Sequence, residues 1–291
     1  MPMASAHHTH SDGPPRPDEL WVCHLGTVAY RDALAIQAEV QARRQADELP
    51  DTLLLLEHPP VYTRGRRATD GELSLGEDYY RARGIEIVPT DRGGKVTYHG
   101  PGQLVGYPIM RVTDIGIHLR TIEAAIVAAL AEDRITARSR CAEGIDYTGV
   151  WVEDRKIASI GVHVSRGVST HGFAVNVTNE LAPFTWIVPC GLPDVTMTSL
   201  ARELRHEPKA GIETPFDERI AQCFCAAHGR RALAVAPSQL GIARTGRRAR
   251  SRDRTSRALD RQSPATLRGC DPNERPPHTT TSASERESLI A

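Results

Sequence analysis

Long apolar runs, cysteine clusters and an excess of either charge are all missing from this sequence of 291 residues. The longest apolar run, Ala124–Ala131, covers eight residues, far fewer than the roughly 18 to 20 of a membrane-spanning helix. Six cysteines in a chain of this length do not make a disulfide scaffold. Thirty-six basic residues balance thirty-six acidic ones, which argues against a dedicated nucleic-acid binder. These absences favour a cytoplasmic protein without a membrane segment.

Aromatic residues are scarce as well, at 5%, and both ends of the chain differ from its middle. Residues 1–17 are polar and proline-rich, with no apolar stretch typical of a secretory signal. Residues 245–291 hold ten arginines, no lysine and six acidic residues, so a tail of net charge +4 balances −4 elsewhere. We predict a disordered arm over 1–17, one globular domain over 18–236 and a disordered tail over 237–291.

The apolar pattern between the two ends predicts a mixed α+β (or α/β) fold. Helical periodicity predicts helices over Tyr30–Arg44, Leu119–Ala131 and Pro215–His228. Because hairpins outnumber strand–helix–strand units, we expect a largely antiparallel sheet flanked by helices. Short apolar or alternating segments predict the strands, namely Thr52–Leu56 resumed by Val61–Thr63, Ile85–Pro89, Gln103–Met110, Gly149–Val152, Lys156–Val164 and Thr170–Val177.

The segment Arg92–Gln103 is the densest concentration of glycine and polar residues. Its four glycines permit positive φ angles and close backbone approach to a ligand, and the interleaved Thr97, Tyr98 and His99 can hold a carbonyl or an amide. The segment matches neither of the common phosphate-binding glycine motifs. An elaborate bulged hairpin would explain the glycines alone, but the polar side chains among them favour a binding site.

Lys156 is the second unusual feature. Strict alternation puts it on the core face of its strand, together with Ala158, Ile160 and Val162. A buried lysine is rare, and the alternative is that Lys156 belongs to a solvated turn. Ser159 and Gly161 on the opposite face leave room for a ligand.

Cys190, between Pro189 and Gly191, lies in a tight connection that can expose its thiol. A reactive thiol needs a nearby cation or helix dipole, and a lone cysteine is more often a buried apolar side chain. Cys223, Cys225 and His228 resemble part of a metal site, but a helix turns the two thiols to different faces. We predict no metal centre.

Five blocks together resemble the lipoyl(octanoyl) transferase family, within the biotin and lipoate protein ligase superfamily. Their order and spacing agree over roughly Leu20 to Ala236. The blocks are Leu54–Thr63, Arg92–Ile109, Gly149–Val162, His171–Val177 and Pro189–Gly191.

The resemblance implies a reaction and assigns roles to residues. An octanoyl group would pass from octanoyl-acyl carrier protein to a lysine of a lipoyl domain, in 2-oxoacid dehydrogenase complexes or the glycine cleavage H protein. Cys190 would be the acyl-thioester nucleophile, and Lys156 would lower the pKa of its thiol. The family works without a cofactor and usually as a monomer. The implied substrate-contacting residues are Arg92, Gly93, Gly94, Lys95, Val96, Thr97, Tyr98, His99, Ser159, Ile160, Gly161, His171, Gly172 and Phe173.

Two other functions compete with this one. An ATP-dependent lipoate or biotin ligase shares the superfamily but needs an adenylate-binding loop and no nucleophilic cysteine. A non-catalytic module that only recognises the acyl carrier protein would need neither Cys190 nor Lys156.

Overall fold

A mixed sheet of nine strands forms the centre of the fold in the computed structural model, which describes residues 18–188, 195–204 and 215–242. Its strands are β1 (Glu19–Thr27), β2 (Thr52–Glu57), β6 (Gln103–Ile109), β7 (Arg138–Ser139), β8 (Gly149–Val152), β9 (Arg155–Ser165), β10 (Val168–Asn176), β11 (Thr196–Met197) and β12 (Arg231–Ala234). Eight of them lie in the order β12-β1-β2-β6-β10-β9-β8-β7, and β11 pairs with β9.

A second, smaller sheet consists of β3 (Val61–Arg64), β4 (Glu86–Pro89) and β5 (Val96–His99). These three strands lie in the order β4-β3-β5. The expectation that Val61–Thr63 resumes β2 is therefore wrong, because the chain leaves the large sheet at Pro59 and Pro60. Proline has no backbone N–H and cannot continue a ladder.

Helices α1 (Tyr30–Gln45), α3 (Ile115–Glu132), α4 (Leu200–Leu204) and α5 (Phe216–Ala227) cover the two faces of the large sheet, whereas the short helix α2 (Glu77–Arg81) packs against the small sheet. Strand β2 has apolar side chains on both faces of the large sheet. Leu53 and Leu55 belong to the apolar cluster that includes α3 and α5 residues, whereas Leu54 and Leu56 belong to the cluster that includes α1 residues. A central strand with period-two alternation must fill two cores. The predicted class, a largely antiparallel mixed sheet flanked by helices, is confirmed.

The packed chain extends beyond the expected boundary at residue 236. A short 3₁₀ helix over Pro237–Leu240 follows β12, and the side chains of Leu240 and Ile242 are buried in the α1 cluster. The arm over 1–17 and residues 243–291 of the tail lie outside the described residues. Within the described ranges, no helix combines the length and apolarity needed to cross a membrane.

Candidate active site

A cleft opens on the α1 side of the large sheet, with a floor of small and apolar side chains from three adjacent strands. Ser159 on β9 pairs with Ala174 on β10, and Ala174 pairs with Val105 on β6. The cleft holds about 610 Å³ of empty space, part of it open to solvent. Such a row of small side chains across a sheet leaves a channel perpendicular to the strands.

The glycine-rich loop borders this channel and touches β9 through its backbone. The Gly93 N–H donates to the carbonyl of Val162, with an N–O distance of 3.0 Å. A Cβ atom at Gly161 would lie 2.7 Å from the Gly93 oxygen, closer than the atoms can approach. The loop therefore needs glycine on β9 as well as in its own sequence.

Arg92 organises the loop. Its Nη2 donates to the Thr63 carbonyl and to the Lys95 carbonyl, each at 2.7 Å, and its Nε donates to the Thr63 hydroxyl at 3.1 Å. The planar guanidinium has donors in a fixed arrangement, so it joins several backbone oxygens at once. Arg92 lines the cleft, and these bonds hold the loop against β3.

Lys156 lies at the β9 side of the cleft and is 1% exposed. A β-bulge puts it there. The pairing of β8 with β9 shifts between Val150 and Trp151, and both Ile157 and Ala158 pack into the α3–α5 cluster. The expected alternation along β9 is therefore wrong at this point, because the extra residue returns Lys156 to the cleft face that carries Ser159.

The surroundings of Lys156 are tightly packed. Its ammonium nitrogen lies 5.2 Å from the centre of the Trp151 ring. A Cβ atom at Gly149 would meet Lys156 Cε at 2.7 Å. The Gly149 N–H in turn donates to the Glu123 carboxylate at 2.9 Å. The Lys156 side chain can therefore pack here only because residue 149 is a glycine.

His99 lines the cleft and belongs to a buried hydrogen-bond network. The Asn176 amide donates to the Thr198 carbonyl, so its oxygen accepts from the Gln103 amide nitrogen, which also donates to the Tyr98 carbonyl. The Gln103 oxygen therefore faces His99 Nδ1 at 2.7 Å.

Because that oxygen can only accept, His99 Nδ1 carries the proton. Burial lowers the pKa of His99 well below its usual value, so the ring is neutral and its Nε2 is an acceptor. The Thr198 N–H donates to the Lys156 carbonyl at 3.0 Å, which joins this network to the backbone of Lys156.

His171 has a strained backbone, with φ at +56°. Its N–H donates to the Gln37 side chain on α1 at 2.7 Å, and its ring Nε2 lies 2.7 Å from an Asp91 oxygen. That hydrogen bond holds the pKa of Asp91 well below its usual range. Burial lowers the pKa of His171, and the Asp91 carboxylate opposes this shift. Strain held at a cleft-lining residue is typical of functional positions.

Tyrosine and histidine side chains close the β6 end of the channel. The Tyr107 hydroxyl lies 2.8 Å from His58 Nε2, and His58 Nδ1 lies 2.7 Å from the Val28 carbonyl. A carbonyl only accepts, so His58 Nδ1 carries the proton and Nε2 accepts from Tyr107. Tyr30 at the start of α1 and His99 complete this wall.

Buried neutral histidines make stability depend on pH. Burial lowers the pKa of His58 and of His118 to about 4. The stability that comes from each neutral ring is complete above about pH 6.5 and falls as the pH drops toward 4, because the unfolded chain takes up protons first. Between pH 7 and pH 5, we expect each of the two histidines to lower the free energy of unfolding by about 2 kcal/mol.

Chemical denaturation at several pH values measures this loss, and His118→Leu is the informative variant. The Nε2 atom of His118 is buried without a hydrogen bond among the described residues. Because leucine does not titrate, the decrease in unfolding free energy between pH 7 and pH 5 should be smaller by about 2 kcal/mol in this variant. An unchanged pH dependence in this variant would contradict the neutral buried ring.

The cleft brings together most of the site residues that the sequence predicted. Thirteen of them line it: Arg92, Gly94, Lys95, Val96, Thr97, His99, Lys156, Ser159, Ile160, Gly161, His171, Gly172 and Phe173. Gly93 contributes through its backbone bond to Val162. The Tyr98 ring instead packs with Tyr62 and Phe184 in a separate cluster. Cys190 lies outside the described residues.

Eight further cleft-lining residues were not among the predicted site residues, and they are Tyr30, Arg67, Val105, Tyr107, Ile145, Asp146, Thr148 and Ala174. Alternation from Gln103 onward could have indicated Val105 and Tyr107, because all three share one face of β6. Tyr30 and Ile145 come from distant segments, and no local pattern marks them. Among the described residues, no cluster of three or more histidine, cysteine or acidic side chains could hold a metal ion.

Comparison with known proteins identifies the family. A family model for the lipoyl protein ligase A/B catalytic domain matches residues 29–224. The chain belongs to this family. An octanoyltransferase of Rubrobacter xylanophilus is 49% identical over 193 residues, which are 65% of this chain and 86% of that protein. The mitochondrial octanoyltransferase of Arabidopsis thaliana is 39% identical over 219 residues, which are 73% and 89% of the two chains.

Solved structures of lipoate protein ligases have a similar fold. A lipoate-protein ligase A bound with ATP superposes with a TM-score of 0.58 at 15% identity, covering 78% of this chain and 92% of that one. A bi-partite lipoate protein ligase from Thermoplasma acidophilum gives 0.56 at 17% identity, covering 78% and 91%. The predicted family and the prediction of an acyltransferase for octanoyl groups in lipoylation are confirmed.

Proposed function

We propose that this chain takes an octanoyl group from octanoyl-acyl carrier protein, holds it as a thioester on Cys190 and passes it to a lysine of apo-lipoyl domains. The acceptors are the lipoyl domains of 2-oxoacid dehydrogenase complexes and the glycine cleavage H protein. The observation that carries this proposal is the buried ammonium of Lys156 in the cleft. A cation in such a place favours an anion beside it, and a cysteine thiolate is the anion that the chemistry needs.

The described residues on both sides of Cys190 support a thiol close to Lys156. On one side, the Val188 N–H donates to the Glu72 carbonyl at 3.1 Å, and the Glu72 carboxylate accepts from the N–H of Val96 beside the cleft at 2.9 Å. On the other side, Met197 pairs with Lys156. Cys190 follows Val188 by two residues, which span at most about 7 Å, and this short connection supports the proposal.

Hydrogen bonds from two tyrosines tether the segment that leads to Val188. The Tyr62 hydroxyl donates to the Pro183 carbonyl at 2.6 Å, and the Tyr80 hydroxyl donates to the Trp186 carbonyl at 2.8 Å. This segment follows β10, whose residues form part of the cleft floor. A fixed backbone just before the proposed nucleophile supports a preorganised site, since catalysis gains from groups held in position.

The chemistry needs no nucleotide, because one thioester is exchanged for another. The Cys190 thiolate attacks the carbonyl carbon of the donor thioester, and the carrier thiol leaves with a proton supplied from Lys156. The acceptor amine then attacks the enzyme thioester, an amide bond forms, and the Cys190 thiolate leaves. The proton lost from the amine returns to Lys156.

The cleft residues supply the remaining functions. We assign substrate contact to the glycine-rich loop through Arg92–His99, to Ser159–Gly161 on β9 and to His171–Phe173 on β10. The apolar channel suits an acyl chain, because each buried methylene contributes about 0.8 kcal/mol.

Basic side chains at the rim favour an acidic donor protein. Arg66 and Arg67 are exposed, and Lys95 is half-buried. Arg67 also pairs with Asp146 across the cleft lining at 2.8 Å. Acyl carrier proteins are generally acidic, so we expect this rim to steer the donor. We further propose that the chain acts as a cytoplasmic monomer.

Mass spectrometry of the intact protein tests the thioester directly. After mixing with octanoyl-acyl carrier protein and no acceptor, we expect an octanoyl adduct that hydroxylamine removes and that Cys190→Ala does not form. Cys141→Ala is the matched control, because Cys141 is an exposed cysteine that does not line the cleft. If Cys190→Ala transferred octanoate only with added ATP, the ligase reaction would replace this proposal.

A further inference from the structure

The channel has a definite length, which its strand register determines. Ser159, Ala174 and Val105 lie opposite one another on β9, β10 and β6. Two strand spacings separate the first from the last, or about 10 Å. An extended eight-carbon chain with carbon–carbon bonds of about 1.5 Å is about 9 Å long. A chain attached beside Lys156 on β9 would therefore end near Val105 and its neighbours on β6.

A wall of hydrogen-bonded rings stands at that end. Tyr107 lies on β6 two residues after Val105, and its hydroxyl donates to His58, which is fully buried. Tyr30 is 2% exposed at the start of α1 and stacks against His99, with ring centroids 5.8 Å apart. His58 is fixed in turn by the Val28 carbonyl.

We propose that the Tyr107–His58 pair, backed by Tyr30, sets the acyl chain length that this protein accepts. The inference rests on the proposed octanoyl transfer and adds the residues that limit the donor. A longer chain gains apolar burial only if Tyr107 moves. That movement leaves the buried acceptor of His58 without its donor, which is costly in a closed interior. Shorter chains fit the channel but fill less of it.

A second residue, on the floor of the channel, also limits the length of the acyl chain. Ala174 lies midway along the channel and is 4% exposed. A larger side chain there would occupy space that the middle of an octanoyl chain needs. A shorter side chain at the end wall lengthens the channel, whereas a larger side chain on the floor narrows it. The two changes should therefore shift the preferred acyl chain length in opposite directions.

Competition between acyl donors measures the preference. The full chain is given equal amounts of hexanoyl, octanoyl and decanoyl carrier protein with a lipoyl domain, and the acylated domain is analysed by mass. We expect Tyr107→Val to raise the decanoyl-to-octanoyl product ratio about tenfold or more. We expect Ala174→Val to raise the hexanoyl-to-octanoyl ratio by a similar factor.

Ile36→Ala is the control for general loosening. Ile36 is buried on α1 in the same apolar cluster as Tyr107 and does not line the cleft, so its variant should leave both ratios unchanged. If Tyr107→Val does not fold, Tyr107→Leu, which also removes the hydroxyl and shortens the side chain but keeps more apolar volume, takes its place with the same expected direction. Unchanged ratios in folded variants, with octanoyl transfer intact in the wild type, overturn the chain-length proposal. No transfer by the wild type from any donor overturns the proposed function itself.

Discussion

Lys156→Met should lower kcat/KM for octanoyl transfer by about 100- to 1,000-fold, because methionine keeps much of the side-chain volume and removes the charge. A cation within about 4 to 6 Å lowers the pKa of a thiol by about one to three units. Its loss therefore reduces the thiolate fraction at pH 7 by about tenfold to 1,000-fold, and the loss of proton transfer adds to this. The size of the effect follows from the burial of Lys156, since solvent screens such a pair only weakly.

Alkylation of individual cysteines separates thiol activation from other roles of Lys156. The rate at Cys190 is followed by peptide mass spectrometry across a pH series, and the exposed Cys141 serves as an internal reference. We expect Lys156→Met to move the Cys190 profile upward by one to three pH units and to leave the Cys141 profile in place. Lys95→Met removes a different cleft lysine and should not move the Cys190 profile. Equal Cys190 profiles in wild type and Lys156→Met would show that Lys156 does not activate the thiol.

Gly149→Ala should lower both the free energy of unfolding and kcat/KM, because the Lys156 side chain occupies the space where the added methyl group would lie. The φ angle is +138°, and the added Cβ would lie 2.4 Å from the Ala158 carbonyl oxygen and 2.7 Å from Lys156 Cε. The backbone strain alone costs about 1 to 3 kcal/mol. Relief of the clash moves β8 or the lysine chain, so we expect kcat/KM to fall at least tenfold.

Gly167→Ala is the matched control for this prediction. Gly167 has a φ of +75° in the turn between β9 and β10, and a Cβ there meets no atom within 4 Å. Its alanine variant should lose about 1 kcal/mol of unfolding free energy, as a strained turn residue does, and should keep its kcat/KM. Thermal denaturation and steady-state kinetics on both variants make the comparison. Full activity in folded Gly149→Ala would mean that Lys156 does not depend on this packing.

The strands and helices followed from local patterns wherever a pattern was regular. Alternation predicted the meander of β8, β9 and β10, and the continuous apolar run of β2 reflects burial on two faces. The resemblance to a family predicted that residues of distant segments form one site, a prediction that periodicity alone does not provide.

Irregular backbone explains what the sequence did not predict. The bulge at Ile157 reverses the face on which Lys156 lies, and nothing in the residues around it marks an extra position. Tyr98 lies between two cleft residues, Thr97 and His99, yet packs into the cluster around Tyr62. Alternation along β5 accounts for this difference, but it could be applied only once the strand limits were known.

The two groups of the proposed catalytic pair depend on different sheets. Lys156 is part of the large sheet, whereas the chain leading to Cys190 is tied to Tyr62 on β3, Tyr80 on α2 and Glu72, all around the small sheet. If Cys190 is the nucleophile, as we propose, the distance from its thiol to the Lys156 ammonium would depend on how the two sheets pack. Substitutions that let the small sheet slip would inactivate the protein with both side chains intact, so inactive variants far from the cleft are expected to cluster at the contact between the sheets.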